Sequence, residues 1–174
     1  MSSQTFRRAA ATTALTTVVV ALAWLVVRVT GSGPLSPTTR LAALEYRDAR
    51  GSHVIRADGA EPTLIVLFDS KCGHCSYQLS ALDRRSAELS RARVYFLTTE
   101  TVLPAEELRR RWPSLARSPS VAWGTVNARD FRSQLRTLLT PAIFVFDARG
   151  RLLVQYIGET KLDVVLPALS GTAG

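Results

Sequence analysis

The sequence predicts an α/β sandwich with parallel central strands, preceded by one N-terminal transmembrane helix. Three short apolar runs rich in β-favouring residues, 64–68, 94–97 and 143–146, alternate with stretches of helical periodicity. A long charge-free segment precedes them. The chain of 174 residues, 47% hydrophobic and 21% charged, is long enough for one packed domain and an appendage.

Residues 9–29 are predicted to form a transmembrane anchor after a short tail, residues 1–8. Residues 9–27 carry no charge, and the apolar run continues through Val29. At about 1.5 Å per residue, a helix of this length spans roughly the hydrocarbon core of a bilayer. The alternative is a cleaved signal peptide, because residues 21–23 read Ala-Leu-Ala, a small-x-small pattern. Either segment predicts a domain outside the cytoplasm, and the anchor predicts a single-pass protein of the cell membrane.

Residues 30–40 are rich in Gly, Ser, Pro and Thr and are predicted to be a flexible linker that buries nothing. The folded domain is expected over 41–170. It begins with a predicted β-hairpin, in which strands 44–48 and 52–56 flank a turn at 49–51.

The rest of the domain is predicted from periodicity and from turn residues. Four helices are expected, at 73–90, from Pro104 to just before Pro113, at 128–139 and at 161–169. Strands are expected at 120–124 and 152–157 as well, the latter forming a hairpin with 143–146.

The charge of the chain gives no support for a nucleic-acid partner. Of the net charge of +8, half lies in the first 40 residues, which contain four arginines and no acidic residue. The remaining +4 is ordinary for a soluble domain. The densest basic run, 109–111, follows Glu106 and Glu107 at helical spacing, which is typical of a solvated helix face.

The two cysteines of the chain, Cys72 and Cys75, lie where a predicted strand meets a predicted helix, with Gly73 and His74 between them. The unpaired amide groups and the dipole at a helix N-terminus favour a thiolate. We therefore expect Cys72 to be exposed with a lowered pKa, and Cys75 to face the core one turn later. In this interpretation Cys72 attacks a disulfide and Cys75 resolves the mixed disulfide.

Other roles for the cysteines fit less well. A structural disulfide between residues three apart restricts the unfolded chain very little. A zinc site needs about four ligands, and His53 and His74 are the only further candidates of the usual kind. A pair of inert core cysteines does not explain Gly-His at a strand-to-helix junction. The sequence therefore predicts a redox pair, with no metal and no cofactor.

Two motifs resemble those of the thioredoxin superfamily over residues 41–169. Phe68 followed by the Cys-Gly-His-Cys of residues 72–75 is similar to its active site, and Thr140-Pro141 before an apolar strand is similar to its second signature. The predicted fold is thus a thioredoxin-like sandwich with an N-terminal β-hairpin extension. With the anchor, it is most similar to the extracytoplasmic TlpA, ResA and CcmG-like group. The resemblance implies that Pro141 is cis and that Thr140 offers its backbone to a substrate.

Two positions depart from that pattern. Thioredoxin carries a buried Asp where this chain has Val66, and the anchored group often has Glu where this chain has Gln78. Neither side chain can accept a proton from Cys75. The Cys-Gly-His-Cys motif is also that of protein disulfide isomerases, which are more oxidising than thioredoxin. The direction of electron flow therefore stays open.

The predicted function is that of a membrane-anchored thiol-disulfide oxidoreductase acting on protein thiols and disulfides. A membrane electron donor is the expected second partner. The alternative is a copper(I) metallochaperone or an assembly factor, such as one for cytochrome c maturation, on the same scaffold. Met1 is the only methionine, which gives the copper alternative little support.

Overall fold

The computed structural model describes residues 34–57, 59–103 and 105–170. The predicted tail, residues 1–8, and the predicted anchor, residues 9–29, lie outside the described residues. Within the described ranges, no helix has both the length and the apolar character needed to cross a bilayer. All described residues belong to one compact unit.

The described residues form one mixed sheet of seven strands in the order β2-β1-β5-β4-β3-β6-β7. The strands are β1 Leu44–Asp48, β2 Gly51–Ile55, β3 Thr63–Leu67, β4 Arg93–Thr98, β5 Val121–Thr125, β6 Ala142–Phe146 and β7 Leu152–Ile157. Strands β3, β4 and β5 are parallel, as predicted. Strand β6 differs, since it runs antiparallel to β3 with Ala142 opposite Leu67. It does so because residues 136–141 return the chain to the end of the sheet where β3 finishes.

Five α-helices cover the sheet in the described part of the chain. They are α1 Gly73–Arg84, α2 Ala105–Arg111, α3 Pro113–Arg117, α4 Ala128–Leu135 and α5 Leu162–Leu169. The predicted helix at 73–90 is interrupted, because Arg85 leaves the helical region and a 3-10 turn, Ser86–Leu89, follows. The predicted helix at 128–139 is too long, because Arg136 adopts a left-handed conformation with φ of 54° and ends α4. Pro104, which was predicted to begin the helix before Pro113, lies outside the described residues.

The core has two layers, one on each face of the sheet. Every residue of β3 is buried, and its side chains alternate between the layers. Leu64 and Val66 join the cluster formed with α1, α3 and α5. Ile65 and Leu67 join the cluster formed with the N-terminal hairpin and α4. Burial on both faces explains why the central strands are continuous apolar runs in the sequence.

The predicted linker, residues 30–40, is not separate from the domain in its described part. Leu35 is 9% exposed, and its amide donates to the Gln155 side-chain oxygen at 2.9 Å. The Thr39 carbonyl accepts from the Leu152 amide. The prediction that this segment buries nothing is therefore wrong for residues 34–40. Leu35 packs in the core cluster that includes Leu152 of β7, and the polar composition of the segment gave no sign of this.

Candidate active site

The two cysteines lie at the end of the sheet where β3 stops and α1 begins. Cys72 is the N-cap of α1, with φ of −79° and ψ of 121°, and its sulfur accepts a hydrogen bond from the Cys75 amide at 3.3 Å. The sulfur thus takes the place of the oxygen that usually caps a helix. A tight turn precedes it, in which the Asp69 side chain accepts from the Lys71 amide at 2.8 Å. The sequence therefore directs the Cys72 sulfur toward unpaired helix amides.

The environment of Cys72 favours its thiolate. Partial burial opposes ionisation, but hydrogen bonds from the Cys75 thiol and from the amides of Cys75 and His74 outweigh it. The pKa of Cys72 therefore lies below the ordinary thiol value. The Cys72 side chain is partly accessible to solvent. A thiolate at this position can reach a disulfide brought to the surface of the protein.

The environment of Cys75 favours the protonated thiol instead. It is 1% exposed and lies in the core cluster on the α1 side of the sheet. Burial raises the pKa of Cys75 to about 11, although its sulfur accepts a hydrogen bond from the Asp69 amide at 3.5 Å. Both thiols are free. As the pH rises, the Cys72 thiol therefore ionises before the thiol of Cys75 three residues later.

The second predicted motif, Thr140-Pro141, lies beside the cysteine motif. The Thr140–Pro141 peptide bond is cis, as the resemblance implied. The Cys72 thiol donates to the Thr140 carbonyl oxygen at 3.9 Å, a distance compatible with a weak sulfur hydrogen bond. The turn at the start of β6 and the cysteines after β3 meet because Ala142 and Leu67 are paired across the sheet. Residues 68 positions apart in the sequence thus share one surface.

The remaining predicted site residues, Gly73 and His74, face outward. Gly73 borders open space, so that a Cβ atom at this position would meet no neighbour within 4 Å. The His74 Nδ1 lies 2.9 Å from a carboxylate oxygen of Glu159, in the loop between β7 and α5. Both side chains of this contact are exposed, with 78% of His74 and 38% of Glu159 accessible. The sequence gives no signal for this pairing because 85 residues separate the partners.

Two charged residues that the sequence did not indicate hold the turn before Cys72. Glu100 accepts from both the Ser70 amide and the Ser70 hydroxyl, at 3.2 and 2.7 Å. Arg111 donates to the Ser70 carbonyl oxygen at 3.4 Å and to the Ser76 hydroxyl. The Arg111 guanidinium also lies over the Trp112 ring, 4.6 Å from its centroid. Arg111 is exposed and pairs with Glu107 one turn earlier at 3.1 Å, as predicted for a solvated helix face, and its guanidinium reaches the turn before Cys72 as well.

Gln78 is fully buried one turn after Cys75, and its side-chain oxygen accepts from the Thr160 amide at 2.8 Å. Its role is to fix the loop before α5 against α1. An amide cannot accept a proton from Cys75 as a carboxylate would. Val66 is an apolar core residue in the same layer. The described side chains at positions 66 and 78 therefore supply no base for the resolving thiol.

The sheet, the cis-proline turn and the Cys-x-x-Cys at the start of α1 together define a thioredoxin-like fold, which comparison with solved structures supports. A peroxiredoxin-like protein from Aquifex aeolicus matches with a TM-score of 0.66 and 11% identity, over 81% of this chain and 90% of that one. A putative thiol:disulfide interchange protein DsbE from Chlorobium tepidum matches with a TM-score of 0.60 and 14% identity, over 80% and 99%. The exposed lipoprotein thioredoxin Etrx1 from Streptococcus pneumoniae matches at 0.56 and 15%, over 75% and 99%.

No family model matches the sequence, and no curated protein matches it either. At 11% to 15% identity, these likenesses establish the fold alone.

Proposed function

We propose that the chain is a thiol-disulfide oxidoreductase that acts on protein disulfides from the outer side of the cytoplasmic membrane. The observation that carries the proposal is the contrast between the two thiols. Cys72 is accessible with a lowered pKa, and Cys75 is buried with a pKa of about 11. A pair in which one thiol attacks and the other waits protonated is what disulfide exchange requires.

The exchange takes place in two steps. The Cys72 thiolate attacks one sulfur of the substrate disulfide, forming a mixed disulfide and releasing the other substrate sulfur as a thiolate. Cys75 then loses its proton to solvent, because Gln78 cannot accept it, and attacks the Cys72 sulfur. The second substrate thiolate leaves, and Cys72 and Cys75 are joined. In this direction the substrate gains two electrons and a membrane electron donor restores the dithiol, whereas the same two steps in reverse oxidise a substrate dithiol.

The placement outside the cytoplasm is supported by the sequence. Residues 9–29 form an apolar segment long enough to anchor the domain. A short tail, residues 1–8, is proposed to stay inside, with the domain over 41–170 outside. A copper(I) carrier, the alternative, needs both sulfurs as thiolates at one ion, and the burial of Cys75 opposes this.

Replacing Cys75 by Ala is expected to trap substrates on Cys72. The first step is retained, but the resolving thiol is absent, so that mixed disulfides accumulate on the full-length protein. Nonreducing gel electrophoresis and mass spectrometry of the isolated conjugates measure this. The matched control, Cys72→Ala, is expected to trap nothing. Equal trapping by both variants, or none by Cys75→Ala, rules out the assigned roles.

A further inference from the structure

A cavity of about 390 Å³ lies beside the candidate active site, between α1 and the start of α5. Glu159, which contacts His74 of the Cys-Gly-His-Cys motif, is part of its lining. The cavity therefore begins at the active-site helix and continues along it, away from the Thr140–Pro141 turn.

The cavity has excess positive charge. Its lining contains three cationic residues, Arg84, Arg85 and Lys161, and two carboxylates, Glu159 and Asp163. Asp163 is paired with Arg85, which also pairs with Glu88 outside the lining, and Glu159 contacts His74. Arg84 and Lys161 are exposed, and Glu159 offsets one of these two charges, so that the lining has a net charge of +1. A ligand with negative charge fits this lining better than a neutral or cationic one.

The cavity also presents an aromatic surface and a fixed wall. Tyr77 is 60% exposed although it lies on the helix that carries the cysteines. The opposite wall is held by the Thr160 amide, which donates to the fully buried Gln78 at 2.8 Å. An exposed tyrosine beside a fixed loop suits recognition of a polypeptide, because its large ring loses little conformational entropy on binding.

We propose that this cavity binds an acidic segment of the protein substrate, adjacent to the cysteine that Cys72 attacks. The inference rests on the proposed function and adds the class of substrate. Along α1, at about 1.5 Å per residue, Tyr77 lies about 8 Å from Cys72 and Arg84 lies about 18 Å away. An extended peptide rises about 3.3 Å per residue. The acidic residues are therefore expected about two to five positions from the substrate cysteine.

The test uses the reduced full-length protein in a neutral detergent and three synthetic peptides. Each has one central cysteine joined as a mixed disulfide to 2-mercaptoethanol, and the residues two to five positions on either side are Glu, Gln or Lys. The second-order rate constant of exchange is measured at low salt. The Glu peptide is expected to react about tenfold faster than the Gln peptide, and the Lys peptide more slowly than both.

The double variant Arg84→Glu/Lys161→Glu is expected to abolish or invert this order. The matched control is Arg56→Glu/Arg149→Glu, which changes the net charge equally at exposed positions on loops before β3 and after β6, at the opposite end of the sheet. The control is expected to keep most of the preference. Bis(2-hydroxyethyl) disulfide, which is neutral and small, is expected to react equally with all three proteins and so reports an intact Cys72.

Two results overturn the proposal, and they are distinct. If the Glu and Gln peptides react equally with the unaltered protein, or both double variants reduce the preference equally, the cavity is not the acidic site although the oxidoreductase function stands. If bis(2-hydroxyethyl) disulfide does not react with the unaltered protein, the proposed function fails, and the substrate class fails with it.

Discussion

Replacing Cys72 by Ser should lower the rate constant of disulfide exchange by a factor on the order of 10³ or more. A serine hydroxyl stays protonated at any pH at which the protein is folded, so that no nucleophile remains on the surface. Cys75 cannot replace it, because it is 1% exposed and burial raises its pKa to about 11. The measurement is thiol release from bis(2-hydroxyethyl) disulfide by the full-length protein. The matched variant Cys75→Ser should keep the first step.

The rate constant of disulfide exchange should depend on pH through the thiol that attacks the disulfide. Exchange by the unaltered protein should fall as the pH drops through the pKa of Cys72, which lies below the ordinary thiol value of 9.0. Any residual exchange by Cys72→Ser should rise only as the pH approaches 11. If Cys75→Ser loses the first step as completely as Cys72→Ser, the roles assigned to the two thiols are wrong.

Replacing Phe96 by Ala should lower the free energy of unfolding by about 3–5 kcal/mol. Phe96 lies on β4 with no exposed surface, and its ring stacks on Trp123 with 4.5 Å between centroids. Trp123 in turn meets Phe68, the residue that follows β3 and precedes the cysteine turn. The loss is a large part of a total stability of about 5–15 kcal/mol. Urea denaturation in neutral detergent measures it.

Tyr77→Ala is the control, since it removes an aromatic ring that is 60% exposed. Its effect on unfolding should stay within about 0.5 kcal/mol. Equal destabilisation by the two substitutions would contradict the packing described for β4, because it would mean that Phe96 contributes no more to the core than a surface ring does.

The sequence predicted the central strands correctly because several consecutive residues in them are buried and apolar. Strands β3 and β6 are buried on both faces, and their continuous apolar runs follow directly from that. The hairpin of β1 and β2 is confirmed for a different local reason, since its strands are buried only at alternate residues but its turn residues include Gly51, where φ is 131°. The thiols were found because their helix N-terminus lies directly after such a strand.

What the sequence could not predict depends on partners far along the chain. The pairing of His74 with Glu159 and the contact of Arg111 with Ser70 are set by how α2 and the loop before α5 pack against α1. The burial of Leu35 depends on β7, which lies more than 100 residues later. The early end of α4 depends on the left-handed conformation of Arg136, for which the sequence carries no glycine signal.

The most direct test of the central claim is the reduction potential of Cys72 and Cys75, measured by equilibrating the full-length protein with glutathione redox buffers and alkylating the remaining thiols. We predict a single two-electron transition between about −270 and −120 mV, the span of known exchange catalysts. A potential below about −300 mV, as in structural disulfides, would contradict the claim. So would the absence of an intramolecular disulfide under oxidising conditions.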